Sequence, residues 1–496
     1  MQDIHKRELK IQAKRKQTPR RQFLKEVASR FGVGFYKNNG IISRFPETDR
    51  CGTIYNADAY MKQFHNGFPG VDLLPDVPFL EQFQKFFATS PKMALLDYAN
   101  NENVRYADTT YGAKNAYMTI SVGDICENVL YSIMIFGNCT NIINSSIITS
   151  NCENIYRSVN VTHSFNVFYS RYIHNSANIR FSDNLIGCTD CVFCSWLENK
   201  KYHIHNTAYT PQDFLQEKQK ILSQKSEYFS YFQKVSWIAT PRSVNNCTWN
   251  AISFSENVQQ SYFVSRVTNG RNILWGDGTP LSSNLYDVVD ISKVDDAYGW
   301  MGVGQNAVHM YCGANASTCN NVYYSYFMDT CSYCLWCIWL KNKQFCILNK
   351  EYTKDERYVL VDKIFGQMDA DWSLWAFFSP STNPFYFNDT LAYLVDDSFT
   401  QDEVTKEGYL RREDESRVDI PEWADVVNAS DLASYQWFDE QWNRKITPEI
   451  LKKAIKDDKW NYYKIMPMEL DFLQKHGLPL PEIHRLERIK LWFKFK

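Results

Sequence analysis

The sequence predicts a mainly β protein: two tandem β-solenoid (β-helix) modules of 12–13-residue coils, with capping helices and a mixed α/loop C-terminal region. Three observations predict it. Residues 101–205 repeat one phrase at a short fixed interval. The phrase returns, less regularly, over 243–349. Both runs end on the same string of residues, offset by 143 positions.

The phrase is Cys-x-Asn-Val/Ile-x-x-Ser-x-x-Ile/Val/Leu, anchored at Cys126, Cys139, Cys152, Ser164, Ser176 and Cys188, with steps of 13, 13, 12, 12 and 12. Ala113 and Asn101 start two weaker copies. Two positions after each anchor lies a column of Asn103, Asn115, Asn128, Asn141, Asn154, Asn166, Asn178 and Asp190. Further columns of Val or Ile, then Ser, then Ile or Val follow at three, six and nine. Such a period is the mark of stacked coils that bury their faces only against their neighbours. Twelve residues are too few for a helix pair, and the composition favours strands. A closed coil of that length has a perimeter of about 40 Å, a narrow tube that admits only small and medium side chains. The Asn column reads as a corner, because Asn tolerates left-handed backbone.

The second run is anchored at Ser243, Ser255, Gly270, Ser282, Gly304, Cys319 and Cys331, with Ser292–Gly304, rich in Asp and Gly, read as a loop bulging from the tube. The shared ending is Cys-x-x-Cys-x-x-Cys-x-Trp-Leu-x-Asn-Lys-x-Tyr/Phe-x-Ile-x-Asn, at 188–206 and 331–349. A helix start follows each: Thr210 with Asp213, and a capping box of Thr353 and Glu356. The first helix is expected to reach about Phe232 and the second about Met368. The domains are therefore a basic N-terminal arm (1–31), an irregular segment with a capping helix (32–100), solenoid module 1 (101–206), a helix and linker (207–242), solenoid module 2 (243–349), a helix plus aromatic loop-rich segment (350–425) and a helical C-terminal region with a basic tail (426–496). The amphipathic run from Pro78 is expected to cap the first coil of module 1, and 447–457 and 467–475 are expected to be helical.

No stretch approaches the roughly 20 apolar residues of a membrane span, and the first residues lack the apolar core of a secretory signal. The 14 cysteines are thus expected to be reduced thiols in a cytoplasm. The net charge of −2 excludes no partner. Its distribution is more informative. Residues 1–31 carry ten Lys or Arg against three acids, and 484–496 carry five against one. These ends point to nucleic acid, through Lys6, Arg7, Lys10, Lys14, Arg15, Lys16, Arg20, Arg21, Arg485, Arg488 and Lys490, interleaved with aromatics such as Phe23 and Trp492.

Cys188, Cys191, Cys194, Cys331, Cys334 and Cys337 form two CxxCxxC triplets, a spacing that binds zinc or iron–sulfur clusters elsewhere. Here they fall in the columns that otherwise hold Cys or Ser, Val or Ile, and Ser, so the repeat accounts for them as small interior residues. No cofactor is expected. His203, His205 and His174 could extend a metal site, but the second copy has Cys346 and Leu348 opposite the first two. Asp277, Asp287, Asp290, Asp295 and Asp296 are the acids available to a carbohydrate-active solenoid enzyme, and their spacing matches no catalytic template. There is no phosphate-binding loop, nucleophile elbow or dinucleotide fingerprint.

The repeated ending, with Phe79-Leu-Glu-Gln-Phe83, Phe377-Phe378, Pro384-Phe385, Asn388-Asp-Thr390 and Glu469–Pro481, resembles an uncharacterised family of Cys/Asn-rich repeat proteins of small-genome bacteria. The resemblance spans about 78–400 and 466–492 and implies the solenoid fold, with zinc ribbons usually flanking the arrays. This chain departs from that pattern: Glu482, Ile483, His484 and Arg485 stand where a ribbon would begin, and 32–75 hold only Cys51. The expected function is a non-enzymatic structural or interaction scaffold within a large assembly, its termini contacting RNA in a ribosome-like particle. No membrane or small-molecule partner is expected. The alternatives are the carbohydrate-active enzyme and a metal-binding protein built on the Cys triplets.

Overall fold

The computed structural model describes residues 17–65, 67–74, 77–97, 100–223, 244–248, 252–304, 306–370, 373–374, 377–413, 424–441 and 443–491. It divides into two compact units: residues 1–95 with 238–411, and 96–237 with 412–496. Each unit is built on one β-solenoid of parallel strands, paired coil to coil 12 or 13 residues apart except at one longer coil of module 2. The basic arm, the Lys6–Lys16 run included, lies in the sequence of the first unit, and its six cations up to Lys16 lie outside the described residues.

Each coil is four-sided. Left-handed backbone recurs every third residue, at Asn154, Arg157, Asn160 and His163 in one coil and Asn166, Tyr169, Tyr172 and Asn175 in the next. The Asn column is therefore one corner of four. The other three mix Asn and His with Tyr and Arg, and the last two disfavour this geometry. They are held there because each corner N–H is bonded to the coil before: Arg157 donates to the Ile143 carbonyl at 3.1 Å and Tyr169 to Tyr156 at 2.9 Å. In the 13-residue coils the extra residue doubles the fourth corner, as Gly137–Asn138 and Ser150–Asn151.

The four columns read from the sequence are the four inward positions. Cys139, Ile142, Ser145 and Ile148 are all fully buried. Two aliphatic walls face each other across the lumen, and Ser or Cys lines the other two. Each lumen hydroxyl accepts the N–H of the next coil and donates two residues back: Ser158 N to Ser145 Oγ at 3.1 Å, Ser145 Oγ to the Ile143 carbonyl at 3.0 Å. The outer Asn corner forms an amide ladder in which each Nδ2 donates to the next Oδ1, from Asn103 to Asp190, at 2.8–3.1 Å. The Ser columns and the Asn corner thus pair their buried polar groups coil to coil, as a low-dielectric interior favours.

The second solenoid corrects two expectations. Residues 292–304 do not bulge; Val294–Val303 is a regular coil, pairing Leu285 with Ala297 and Val288 with Trp300. Its Gly299 and Gly302 are corners, at φ 64° and 70°, which is why a glycine-rich stretch mimicked a loop. The extra length lies earlier, where the Asn269–Asn284 rung step is 15 residues. Gly270 and Gly304 are accordingly not anchors: Gly270 pairs with Val258 in the next column, and Ala307, paired with Val294, holds the anchor position. Trp300 fills the lumen, and Gly313 of the next coil makes room for it: a Cβ there would lie 2.5 Å from the indole.

The repeated ending has a physical reason. Asn206 bonds both N–H and C=O of Ser195, at 2.9 Å each, and Asn349 does the same to Ile338 at 2.8 Å. Each Asn thereby closes an edge strand that would otherwise be left open. A hairpin and a helix follow: Pro211–Ser223 in one unit, Lys354–Ala370 in the other.

Helix Phe79–Thr89 forms where the amphipathic run from Pro78 predicts a helix. It lies in the first unit along the side of module 2, with Phe83 stacked on Tyr326 and Phe378, and Phe79 on Trp336. The C-terminal region is mixed rather than helical. Pro448–Lys452 is a 3₁₀ turn leading into strand Ala454–Lys456, because Lys453 leaves helical geometry at ψ 144°. Helix Pro467–His476 forms as expected and stops at Gly477, φ 65°. This region covers the side of module 1 carrying Tyr156, Phe168, Phe181 and Phe193, through Leu470, Phe472, Ile455 and Leu478.

Candidate functional site

The described cations of the two ends are engaged inside their own units. Helix Arg20–Glu26 buries Phe23 and Leu24, which orients its basic side chains. Arg20 lies 4.5 Å above the Tyr262 ring, and burial pulls its pKa down. Arg21 forms a fork on Glu403, at 3.0 and 2.6 Å, and reaches Asp396 at 3.2 Å. Arg488 is buried, donating to Glu469 at 3.2 Å, Asn144 at 2.8 Å and the Ile483 carbonyl at 2.7 Å. Burial pushes the Glu469 carboxyl up, and the Arg488 guanidinium partly offsets this. Lys490 pairs with Glu487 at 2.7 Å, and Arg485 is half-buried on the same short helix, Arg485–Lys490.

The Cys triplets line the lumen. Cys188, Cys191 and Cys194 donate to the carbonyls two residues back, at 3.3, 3.6 and 3.4 Å. Cys331, Cys334 and Cys337 do so at 3.2, 3.4 and 3.4 Å. This is the bond the lumen serines make. Hydrogen bonds between neighbouring thiols split each triplet, pushing Cys188 and Cys334 up and Cys194 and Cys331 down. Among the described residues no group of three or more His, Cys, Asp or Glu is placed to hold a metal ion. His205 stacks on Phe193 at 5.0 Å.

The acids of module 2 do not converge. Asp277 faces Arg266 at 3.7 Å, Asp287 accepts from Asn272 at 2.7 Å, and Asp295 accepts from Ser283 at 2.9 Å. Burial pushes Asp290 up to about 6. Asp296 and His309 replace two successive amides of the ladder, 3.5 Å apart, with Tyr311 3.3 Å from the imidazole.

Two features were not legible in the spacing. The first is a groove of about 340 Å³ between the Asn corner of module 1 and helix Pro467–His476. Asn128 and Asn141 form one bank, Asp471 and Lys475 the other, and Ile143, Met468 and Phe472 the floor. It continues beside an outward column of Thr140, Glu153, Phe165, Ala177 and Thr189, none of them buried. The second is the hairpin Ala454–Lys456/Tyr462–Tyr463, which displays Trp460 at 70% exposure. The signal for it was available: a polar run, Asp457–Asn461, between two short β-prone stretches.

No family model matches the chain, and no curated protein matches it. Among solved structures the chain is similar to a candidate acetyltransferase from Desulfovibrio desulfuricans G20, at 12% identity and a TM-score of 0.10 over 47% of this chain. The chain spans 63% of that protein's length, and a likeness at this level fixes neither fold nor activity.

Proposed function

We propose that the protein is a non-enzymatic interaction scaffold that docks on a large, RNA-containing assembly. The observation that carries this reading is the outward side of module 1 within its unit: a regularly spaced column from Thr140 to Thr189 beside the Asn ladder and its groove. Its thiols, hydroxyls and buried ions are committed to holding the tube, so the outer surface is what remains to act. The RNA contact of the arm belongs to Lys6, Arg7, Lys10, Lys14, Arg15 and Lys16, since Arg20, Arg21, Arg488 and Lys490 have internal partners.

Co-sedimentation with purified bacterial ribosomes tests it. The full chain is expected to sediment with the particles. Thr140→Arg with Thr189→Arg should abolish this by obstructing the outer column, and replacing the six arm cations with Gln should weaken it and flatten its salt dependence. No co-sedimentation of the full chain, or equal sedimentation of the Thr variants, refutes the reading.

A further inference from the structure

Outside the two solenoids, every described residue with left-handed backbone is Gly or Asn, with one exception: Trp460, at φ 64°. The hairpin around it explains the geometry. Lys456 pairs with Tyr462, and the Asp457 N–H bonds the Asn461 carbonyl at 2.9 Å. That leaves a three-residue loop whose last residue must be left-handed, a position that glycine fills in ordinary hairpins. The loop is rigid. The buried Asp457 carboxylate accepts from the N–H groups of Lys459 at 3.0 Å, Asn461 at 2.8 Å and His484 at 3.0 Å.

A large ring held where local physics asks for glycine, and left 70% exposed, is unfavourable twice over. Deviations of this kind mark function, not folding. One face of the indole carries the Lys456 ammonium, 3.3 Å from the ring centroid; Tyr462 lies 6.0 Å from the same ammonium. Exposed Lys452 and Lys464 flank the hairpin, while Lys459 is paired with Glu487 at 2.5 Å. The neighbours of Trp460 on the tip are polar, Asp458, Lys459 and Asn461. A partner can therefore engage the free ring face without burying anything else, which suits a nucleobase rather than a bilayer.

We propose that Trp460, backed by Lys456, is a stacking platform for an unpaired base of single-stranded RNA. Stacking supplies affinity without reading sequence, and Lys452, Lys456 and Lys464 supply the phosphate attraction. Asp458, exposed on the same turn, opposes it. The inference deepens the interaction reading and rests on it for the presence of RNA in the partner.

The test is fluorescence anisotropy of a labelled 12-nucleotide oligouridine with the full chain, at two salt concentrations. Trp460→Gly should weaken binding about tenfold, the value of one stacked base, with the salt slope unchanged. Its melting temperature should equal or exceed that of the parent, because glycine relieves the backbone, so the loss cannot be charged to unfolding. Trp460→Phe should bind in between, Asp458→Asn more tightly, and Trp437→Gly, another exposed indole, like the parent. Equal RNA affinity for Trp460→Gly and the parent overturns the proposal. So does Trp460-dependent uptake by phosphatidylglycerol vesicles without RNA binding, which would make the tip a membrane contact. The arm acts through the salt slope and Trp460 does not, so a failed ribosome assay and a failed stacking assay are distinguishable.

Discussion

Arg488 decides between two readings of the basic tail, and its replacement by Met separates them. As a phosphate contact it would weaken nucleic-acid binding when removed and leave the fold alone. As observed, it is 1% exposed and bonded to Glu469, which is wholly buried. Removing the guanidinium leaves a carboxylate in the interior facing the Tyr131, Tyr156 and Tyr463 rings. Breaking a buried pair from one side costs about 3–5 kcal/mol. For a unit of this size each kcal/mol moves the midpoint by about 2–4 °C, so Arg488→Met should lower the melting temperature of its unit by roughly 10 °C. The sign with pH follows. In the variant the folded pKa of Glu469 lies well above its unfolded value, so the penalty is full at neutral pH and vanishes as pH falls through the folded pKa towards the unfolded one. Differential scanning calorimetry at pH 7.5 and 5 should show the gap to the parent closing at the lower pH. Arg488→Met with Glu469→Leu should recover most of the loss, since the pair as a whole contributes little net stability. A melting temperature within a degree of the parent for Arg488→Met alone would refute the reasoning and return the residue to the RNA-binding set.

Gly313→Ala would place a methyl 2.5 Å from the Trp300 indole and 2.4 Å from the Ser325 carbonyl; overpacking of this kind costs about 1–3 kcal/mol, read as a lower urea midpoint. Cys191→Val and Cys188→Ser, each the residue its column carries elsewhere, should fold like the parent with no change in metal content by elemental analysis; loss of stoichiometric zinc on either would revive the metal reading. Asn141→Ala loses two rungs of the ladder and the left-handed tolerance of Asn, so it should be less stable than Asn141→Gly, which loses only the rungs. Burial, with Lys475 and Arg180 nearby, pushes His476 down to about 4. Its unfolded form takes a proton first, so stability is full above about pH 6.5 and is lost as pH falls towards 4, by about 1–3 kcal/mol; His476→Leu should flatten that part of the profile.

The fold was legible because the lumen is selective. A tube four residues round inside admits only Ser, Cys, Val, Ile and their like, so column composition betrays the coil directly, and the Asn ladder adds a fifth column. What the columns do not encode is the outside. Tyr169 and Trp196 sit at left-handed corners that no propensity would assign them, because the hydrogen bonds to the adjacent coil, and not the residue, set the backbone there. Hence one corner was visible and three were not. In module 2 the same logic misleads: Gly299 and Gly302 look like loop because glycine is a loop signal everywhere except at a corner that wants it.

The basic ends show the opposite failure. Charge is a property of composition, and composition cannot tell a free cation from one that meets its counter-ion more than 350 residues away, as Arg21 meets Glu403. Within the second unit, Arg488 and Asn144 are likewise brought together only by folding. The converse holds for Trp460. Its neighbours in the sequence are unremarkable, and only the backbone shows that the position calls for glycine. If function gathers where local rules are broken without local compensation, then the side chains to test first are those the fold does not need: the outer column of module 1 from Thr140 to Thr189, and one indole on a rigid turn. Trp460→Gly is the sharper of the two tests, because it alone should make the protein no less stable and less able to bind.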